Sequence, residues 1–151
     1  MNAIQFLKTE HEKAKQGFAD IQAADAAGRA ALWAKLEPEL KLHEQMEETA
    51  LYGPVAQDVG AKDETLKDWP EHHHAEVGEA EMLIQEIDGL DATSDEWLEK
   101  VEELQEALED HIEEEERDIW PRIQQAWDES KLDHAGQQMD AMKSRKAARA
   151  A

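Results

Sequence analysis

The sequence predicts an all-α chain, an up-down-up-down four-helix bundle with a short C-terminal extra helix or tail. Three observations carry that prediction. The 151 residues are rich in Ala, Glu, Leu, Lys and Gln, and seven glycines and four prolines are the only strong breakers. Apolar residues recur at three- and four-residue steps, while apolar/polar alternation never survives beyond a few residues. Four periodic stretches of about twenty residues or more follow one another with short connections, the pattern from which helix bundles are built. A chain of this length buries about two thirds of its unfolded surface in one core. One bundle over residues 1–128 is therefore expected, followed by a helical extension or frayed tail over 129–151.

The first helix is expected from Ala3 to about Ala27, with Ile4, Leu7, His11, Ala14, Phe18 and Ile21 in its stripe and Gly28 closing it. The second runs from Arg29 to about Tyr52 through Leu32, Trp33, Leu36, Leu40, His43, Glu47, Ala50 and Leu51, and Gly53-Pro54 stops it. Pro38 marks a kink or a late true start. A polar loop reaches about Lys67, after which Asp68-Trp69-Pro70 supplies a cap and a first-turn proline for a third helix ending at Gly89. Thr93-Ser94-Asp95-Glu96 starts the fourth, whose stripe holds Trp97, Val101, Leu104, Leu108, His111, Glu115 and Ile119 until Pro121 bends or breaks it. Trp33, Trp97, Trp120, Phe6 and Phe18 are read as core packing, and Tyr52 as a cap on the bundle rather than a donor to a bound ligand.

Lys and Arg total 16 against 37 Asp and Glu, a formal net charge of −21. That field repels phosphate backbones and anionic lipid, so neither nucleic acid nor a membrane is an expected partner; cations, basic proteins and small molecules are. With no cysteine there is no disulfide, thiolate nucleophile or iron–sulfur site, and any metal must be held by nitrogen and oxygen. The opening stretch MNAIQFLKTEHEK meets charge too early for a secretory signal, and no apolar run approaches the ~20 residues of a membrane span. A cytoplasmic monomer or weak homodimer is the expectation.

Three of the seven histidines, His11, His43 and His111, fall inside the apolar stripes of the first, second and fourth helices. Glu47 lies about 40° round the helix from His43, between Leu36 and Leu40, and Glu115 stands in the same relation to His111, Leu104 and Leu108. An unpaired carboxylate in an apolar core loses several kcal/mol of solvation, more than the ~2 kcal/mol a leucine there would gain by burial. Histidine hydrogen bonds offset part of that cost, and a bound cation offsets it most directly. On the third helix, periodicity turns His73 inward, leaves His72 and Glu76 at the stripe's edge as reserve ligands, and turns His74 outward. Four histidines and two glutamates exceed the needs of one tetrahedral zinc. The set suits two carboxylate-bridged ions, with iron, manganese or zinc favoured over copper(I) or calcium. His134 lies in a polar segment beyond the bundle and is read as solvated.

These residues resemble the hemerythrin-like proteins with the HHE cation-binding domain. Phe6-Leu7-Lys8-Thr9-Glu10-His11 looks like that family's first-helix start, His43-Glu-Gln-Met-Glu47-Glu-Thr-Ala-Leu-Tyr-Gly-Pro54 like its second-helix motif, and His111-Ile-Glu-Glu-Glu115-Glu-Arg-Asp-Ile-Trp-Pro121 like its last. The resemblance covers about residues 3–125. It implies a four-helix bundle holding two Fe ions with an oxo or hydroxo bridge, with His11, His43, His73 and His111 as nitrogen ligands and Glu47 and Glu115 as bridging carboxylates. Two departures stand out. The oxygen carriers of the family have a second histidine one turn after the third-helix ligand, where this chain has Val77, so that ligand is missing or replaced by Glu76, His72 or solvent. Their last helix uses an aspartate five residues beyond its histidine, where this chain has Glu115 at four and Glu116 at five. Both departures weigh against reversible oxygen carriage.

Three functions follow: a di-iron protein that binds or senses O2, NO or iron; a di-iron enzyme that consumes peroxide or another oxidant, with peroxidase, catalase-like or NO-reducing chemistry; and a metal-free interaction bundle with a structural polar network.

Overall fold

The computed structural model describes residues 1–150. Its architecture is helical throughout, with no strand among the described residues. Helix α1 (Ala3–Ala23) starts at Asn2, whose side chain accepts from the Gln5 N–H while the Gln5 side chain returns to the Asn2 N–H. It ends earlier than periodicity suggested because Asp25 caps the next helix by accepting from the Gly28 N–H, so Gly28 lies inside α2 (Ala26–Met46) instead of closing α1. Pro38 also lies inside α2 and does not start it.

Gly53-Pro54 does not stop the second helix. The chain passes through a π-helical turn, Glu47–Tyr52, into α3 (Gly53–Val59). Proline lacks an N–H and its ring crowds the carbonyl four residues back, so the ladder widens and Gly53 N–H donates to the Glu48 carbonyl, five residues earlier. Helix α4 (Glu64–Asp88) starts at Asp63, whose carboxylate accepts from Leu66 N–H; Asp68 is therefore not the cap, and Pro70 falls inside the helix. Helix α5 (Asp95–Glu114) starts at Ser94 as its sequence requires. It too meets a proline through a π-helical turn, Glu115–Ile119, in which Trp120 N–H donates to the Glu115 carbonyl before α6 (Trp120–Ala126) begins.

The C-terminal segment is a long helix, α7 (Glu129–Ala150), where a short helix or frayed tail was expected. It lies against α1, with Leu132, Ala135 and Met139 buried in the same cluster as Ile4, Leu7 and Leu51. The crossing is close enough to need glycine at 136, where a Cβ would sit 2.4 Å from the Met1 carbonyl oxygen. A second apolar cluster, built on Phe18, Ile21, Trp33, Leu36, Trp97 and Leu104, fills the other end of α1. His11 falls between the two along that helix, and α1 packs on α2 and α5 while α4 packs on α5. No helix among the described residues is long and apolar enough to cross a membrane.

Candidate metal centre

Between the two apolar clusters, six ionisable side chains are buried: His11 from α1, His73 from α4, His111 from the last turn of α5, Glu47 and Glu115 from the π turns, and His43 from the last turn of α2 with only its edge exposed. Both π turns open on the glutamate of a His-x3-Glu pair. A locally widened turn is a common device where helices build functional sites.

The side chains converge in two overlapping groups whose donor atoms lie within 4.8 Å of one another: His11, His43, Glu47 and Glu115 in one, Glu44, Glu47, His73 and His111 in the other. Glu47 Oε1 spans them, 3.1 Å from His43 Nε2 and 3.4 Å from His73 Nε2. Glu115 Oε1 spans them likewise, 3.5 Å from His11 Nε2 and 3.2 Å from His111 Nε2. His11 and His43 bring their Nε2 atoms to 3.1 Å, and Glu44 Oε2 lies 2.9 Å from His73 Nε2. An acid stands behind three of the rings. His111 Nδ1 is hydrogen-bonded to Glu76 at 3.3 Å, His73 Nδ1 faces Glu48 at 3.4 Å and His11 Nδ1 faces Glu116 at 3.6 Å. The bond to Glu76 fixes the His111 tautomer that leaves Nε2 free to ligate, the usual support of metal-bound imidazole, whereas His11 Nδ1 and His73 Nδ1 lie beside their acids without a hydrogen bond.

Hydrogen bonding within the protein does not satisfy this cluster. His111 Nε2, Glu115 Oε1 and Glu44 Oε2 are sealed from solvent and have no hydrogen-bond partner. In a centre with seven nitrogen and oxygen donors and no sulfur, such orphaned atoms fit one or two cations of the iron, manganese or zinc kind.

The electrostatics show the same frustration. Burial lowers the His11 pKa to about 3, keeping that ring neutral. Burial also opposes the charge on His73, but the Glu44 and Glu47 carboxylates close to its Nε2 outweigh it and raise that pKa to about 10. Glu47 is buried too, yet His43 beside it and its hydrogen bonds hold it well below the usual range. Burial and the neighbouring Glu47 charge push Glu115 well above it. The Glu47 charge therefore favours a proton on Glu115.

The Hemerythrin HHE cation binding domain profile matches residues 2–123. The chain belongs to this family. A solved hemerythrin HHE cation-binding domain-containing protein from Mycobacterium kansasii, at 24% identity, is similar in fold over 98% of this chain and 89% of that one, with a TM-score of 0.78. Comparison with curated proteins yields no match. The family binds metal ions, and the clusters above are where this HHE domain can hold them.

All six residues that sequence reading favoured, His11, His43, Glu47, His73, His111 and Glu115, meet at this one place. His74 points outward, 81% exposed against 0% for His73, and His134 is exposed. Three placements differ from expectation. Glu44, not proposed as a ligand, joins the second group; it lies about 40° beyond Leu40 at the stripe's edge, on the side facing His73 of α4. Glu76 sits behind His111 instead of among the converging atoms, and His72 belongs to a separate, more exposed group. Tyr52 is no outer cap: it is buried, its single hydroxyl proton lies between Glu115 and Glu47, the latter at 3.1 Å, and its oxygen accepts from Trp120 Nε1 at 2.8 Å. Only its position five residues after Glu47, on a turn the sequence did not reveal as π, marks it.

Proposed function

We propose that this chain is a non-haem di-iron protein, an up-down-up-down bundle that binds or senses O2 or NO. The observation that carries this reading is the pair of overlapping groups spanned by Glu47 and Glu115, with orphaned donor atoms turned toward the shared centre. His11 and His43 would hold one ion, His73, His111 and Glu44 the other, and the two spanning glutamates both. When bound, the iron pair supplies reversible one-electron chemistry and an open position for a small ligand.

The chain's own contribution is to select by size and to keep the centre dry. A cavity of about 30 Å³ reaches His11, His43 and His111 between walls of Ala14, Phe18, Leu40, Leu108 and Ile112. Since a cavity needs about 10–15 Å³ to hold one water, the space is matched to a diatomic or a peroxide. Trp120, stacked on the His11 ring at 4.9 Å, and Trp69, near-parallel to His111 at 6.1 Å, close other sides.

Peroxide consumption is the second reading. One observation favours it: the Tyr52 hydroxyl, hydrogen-bonded to both spanning carboxylates and to Trp120, places an oxidisable, proton-carrying pair against the centre. Metal analysis and mixing of the anaerobically reduced protein test both. Stoichiometric iron with a long-lived, reversible spectral adduct on adding O2 or NO supports the binder. Irreversible oxidation with turnover of added peroxide supports the enzyme. Absence of iron, with no gain in thermal stability from ferrous ion, overturns both.

A further inference from the structure

The spacing His-x3-Glu occurs a third time, at His72 and Glu76, on the outer face of α4. There the side chains do not point into the shared centre. His72 Nε2 lies 2.7 Å from Glu76 Oε1 and 2.9 Å from Glu114 Oε1, the latter carried across from α5. A neutral imidazole has one N–H to give at that nitrogen, and its hydrogen bond goes to Glu114. Glu76 Oε1 is left sealed from solvent with no hydrogen-bond partner, although the residue as a whole is 29% exposed. One nitrogen and two carboxylate oxygens from two helices thus face a common point, with more acceptor capacity than the protein can satisfy.

We propose that His72, Glu76 and Glu114 form a third, solvent-facing site for one divalent first-row cation. The donor atoms need to part by roughly half an ångström to suit metal–ligand distances of about 2.0–2.2 Å, a small change for side chains with one end in water. Water completes the shell, and the net charge of −21 concentrates cations nearby. The site is also wired to the interior, because the other oxygen of Glu76 holds His111 Nδ1. A cation outside and an ion inside therefore share one carboxylate. This coupling rests on the iron-pair reading above; the outer site does not.

Equilibrium dialysis of the iron-containing protein against Zn2+, with iron and zinc both measured in the retained protein, tests it. Wild type should retain one zinc per chain that His72→Ala and Glu114→Gln lose, each with at least a tenfold drop in affinity, while iron content stays unchanged. His74→Ala should retain it. Equal zinc in wild type and His72→Ala, or equal losses in His72→Ala and His74→Ala, would overturn the site, the latter by reducing it to diffuse affinity of the three consecutive histidines. Glu76→Gln should lower both zinc affinity and iron retention, each by about tenfold or more, since it touches both. Loss of zinc alone there would overturn the coupling. A protein isolated without iron would defeat the iron-pair reading, and the zinc difference between wild type and His72→Ala would still decide the outer site.

Discussion

The two halves of the interior are built on opposite terms. Around Phe18, Ile21, Trp33, Trp97, Val101 and Leu104 the buried side chains are hydrophobic, and the Trp33 indole donates to Asp88 at 2.8 Å. Two turns back along α1, the belt around His11 packs four imidazoles and two carboxyls into the same kind of space and leaves several of their atoms without partners. The apolar end follows the rule that buried surface stabilises in proportion to area. The belt defies it, and a fold keeps such an arrangement only where something else offsets the desolvation. The contrast therefore separates residues whose loss weakens the bundle from residues whose loss empties it.

The largest effect is expected at Glu47, which spans both groups. Glu47→Ala should take the protein from about two irons per chain to none, and with it abolish the rise in unfolding temperature on adding ferrous ion. His43→Ala and His111→Ala each remove a nitrogen donor from one side, and should lose the second ion and bind the first more weakly. Metal analysis after anaerobic reconstitution reads both. Unchanged iron in the two histidine variants would mean that the belt is a structural polar network.

At the other end the effect moves to stability alone. Leu104→Ala removes a fully buried side chain from the apolar cluster that includes Trp97 and Ile87, and should cost about 2–5 kcal/mol in denaturant unfolding with iron content unchanged. If iron falls as well, the two regions are not independent. Tyr52→Phe lies between the extremes. It strips a donor from two buried carboxyls and leaves Trp120 Nε1 without its acceptor, a loss of about 1–3 kcal/mol in the metal-free protein. Iron binding should still proceed, and the difference in stability between wild type and variant should narrow once iron is loaded, because the cations take over the task of satisfying Glu47 and Glu115.

Much of this layout is legible in the sequence because helical periodicity is a strong signal. His11, His43 and His111 sit at stripe positions that leucine would otherwise occupy, and the registered glutamates follow from the same angle. What periodicity cannot carry is a change of period. The π turns at Glu47–Tyr52 and Glu115–Ile119 shift every later residue relative to a constant 100° per residue. A constant period therefore makes Tyr52 a cap on the bundle and the prolines that follow stops or bends. Glu44 was missed for another reason: an edge residue goes into the core or into water according to the neighbouring helix, and α4 was placed only through its own stripe. The C-terminal helix was undervalued because its stripe of Leu132, Ala135 and Met139 is sparse and small, suited to close approach more than to bulk burial. Gly136 is the residue that permits that approach.

Gly136→Ala sharpens the same division on a third element. Its new methyl would meet the Met1 carbonyl at 2.4 Å and the Asn2 and Ala3 backbone close by, atoms that cannot move without disturbing the cap of α1. Overpacking of this kind costs about 1–3 kcal/mol. Because the strain falls at the first turn of α1 and His11 lies two turns further on, iron content should be retained while the unfolding midpoint drops.

The smallest effect is expected where the sequence places a histidine beside the centre and the fold turns it away. His73 and His74 are neighbours in the chain, yet one is fully buried against Glu44 and Glu47 and the other is 81% exposed, near only Glu48 at 3.5 Å. A surface ion pair of that kind is worth about 0–1 kcal/mol. His74→Ala should leave iron content, the optical spectrum and unfolding within error of wild type, while His73→Ala removes a donor from the second ion. The pair reads the rotation of α4 to within one residue. If His74→Ala strips iron and His73→Ala does not, α4 is turned by about 100°, and His73 and Val77 take the places of His72 and Glu76, which would also remove the outer site.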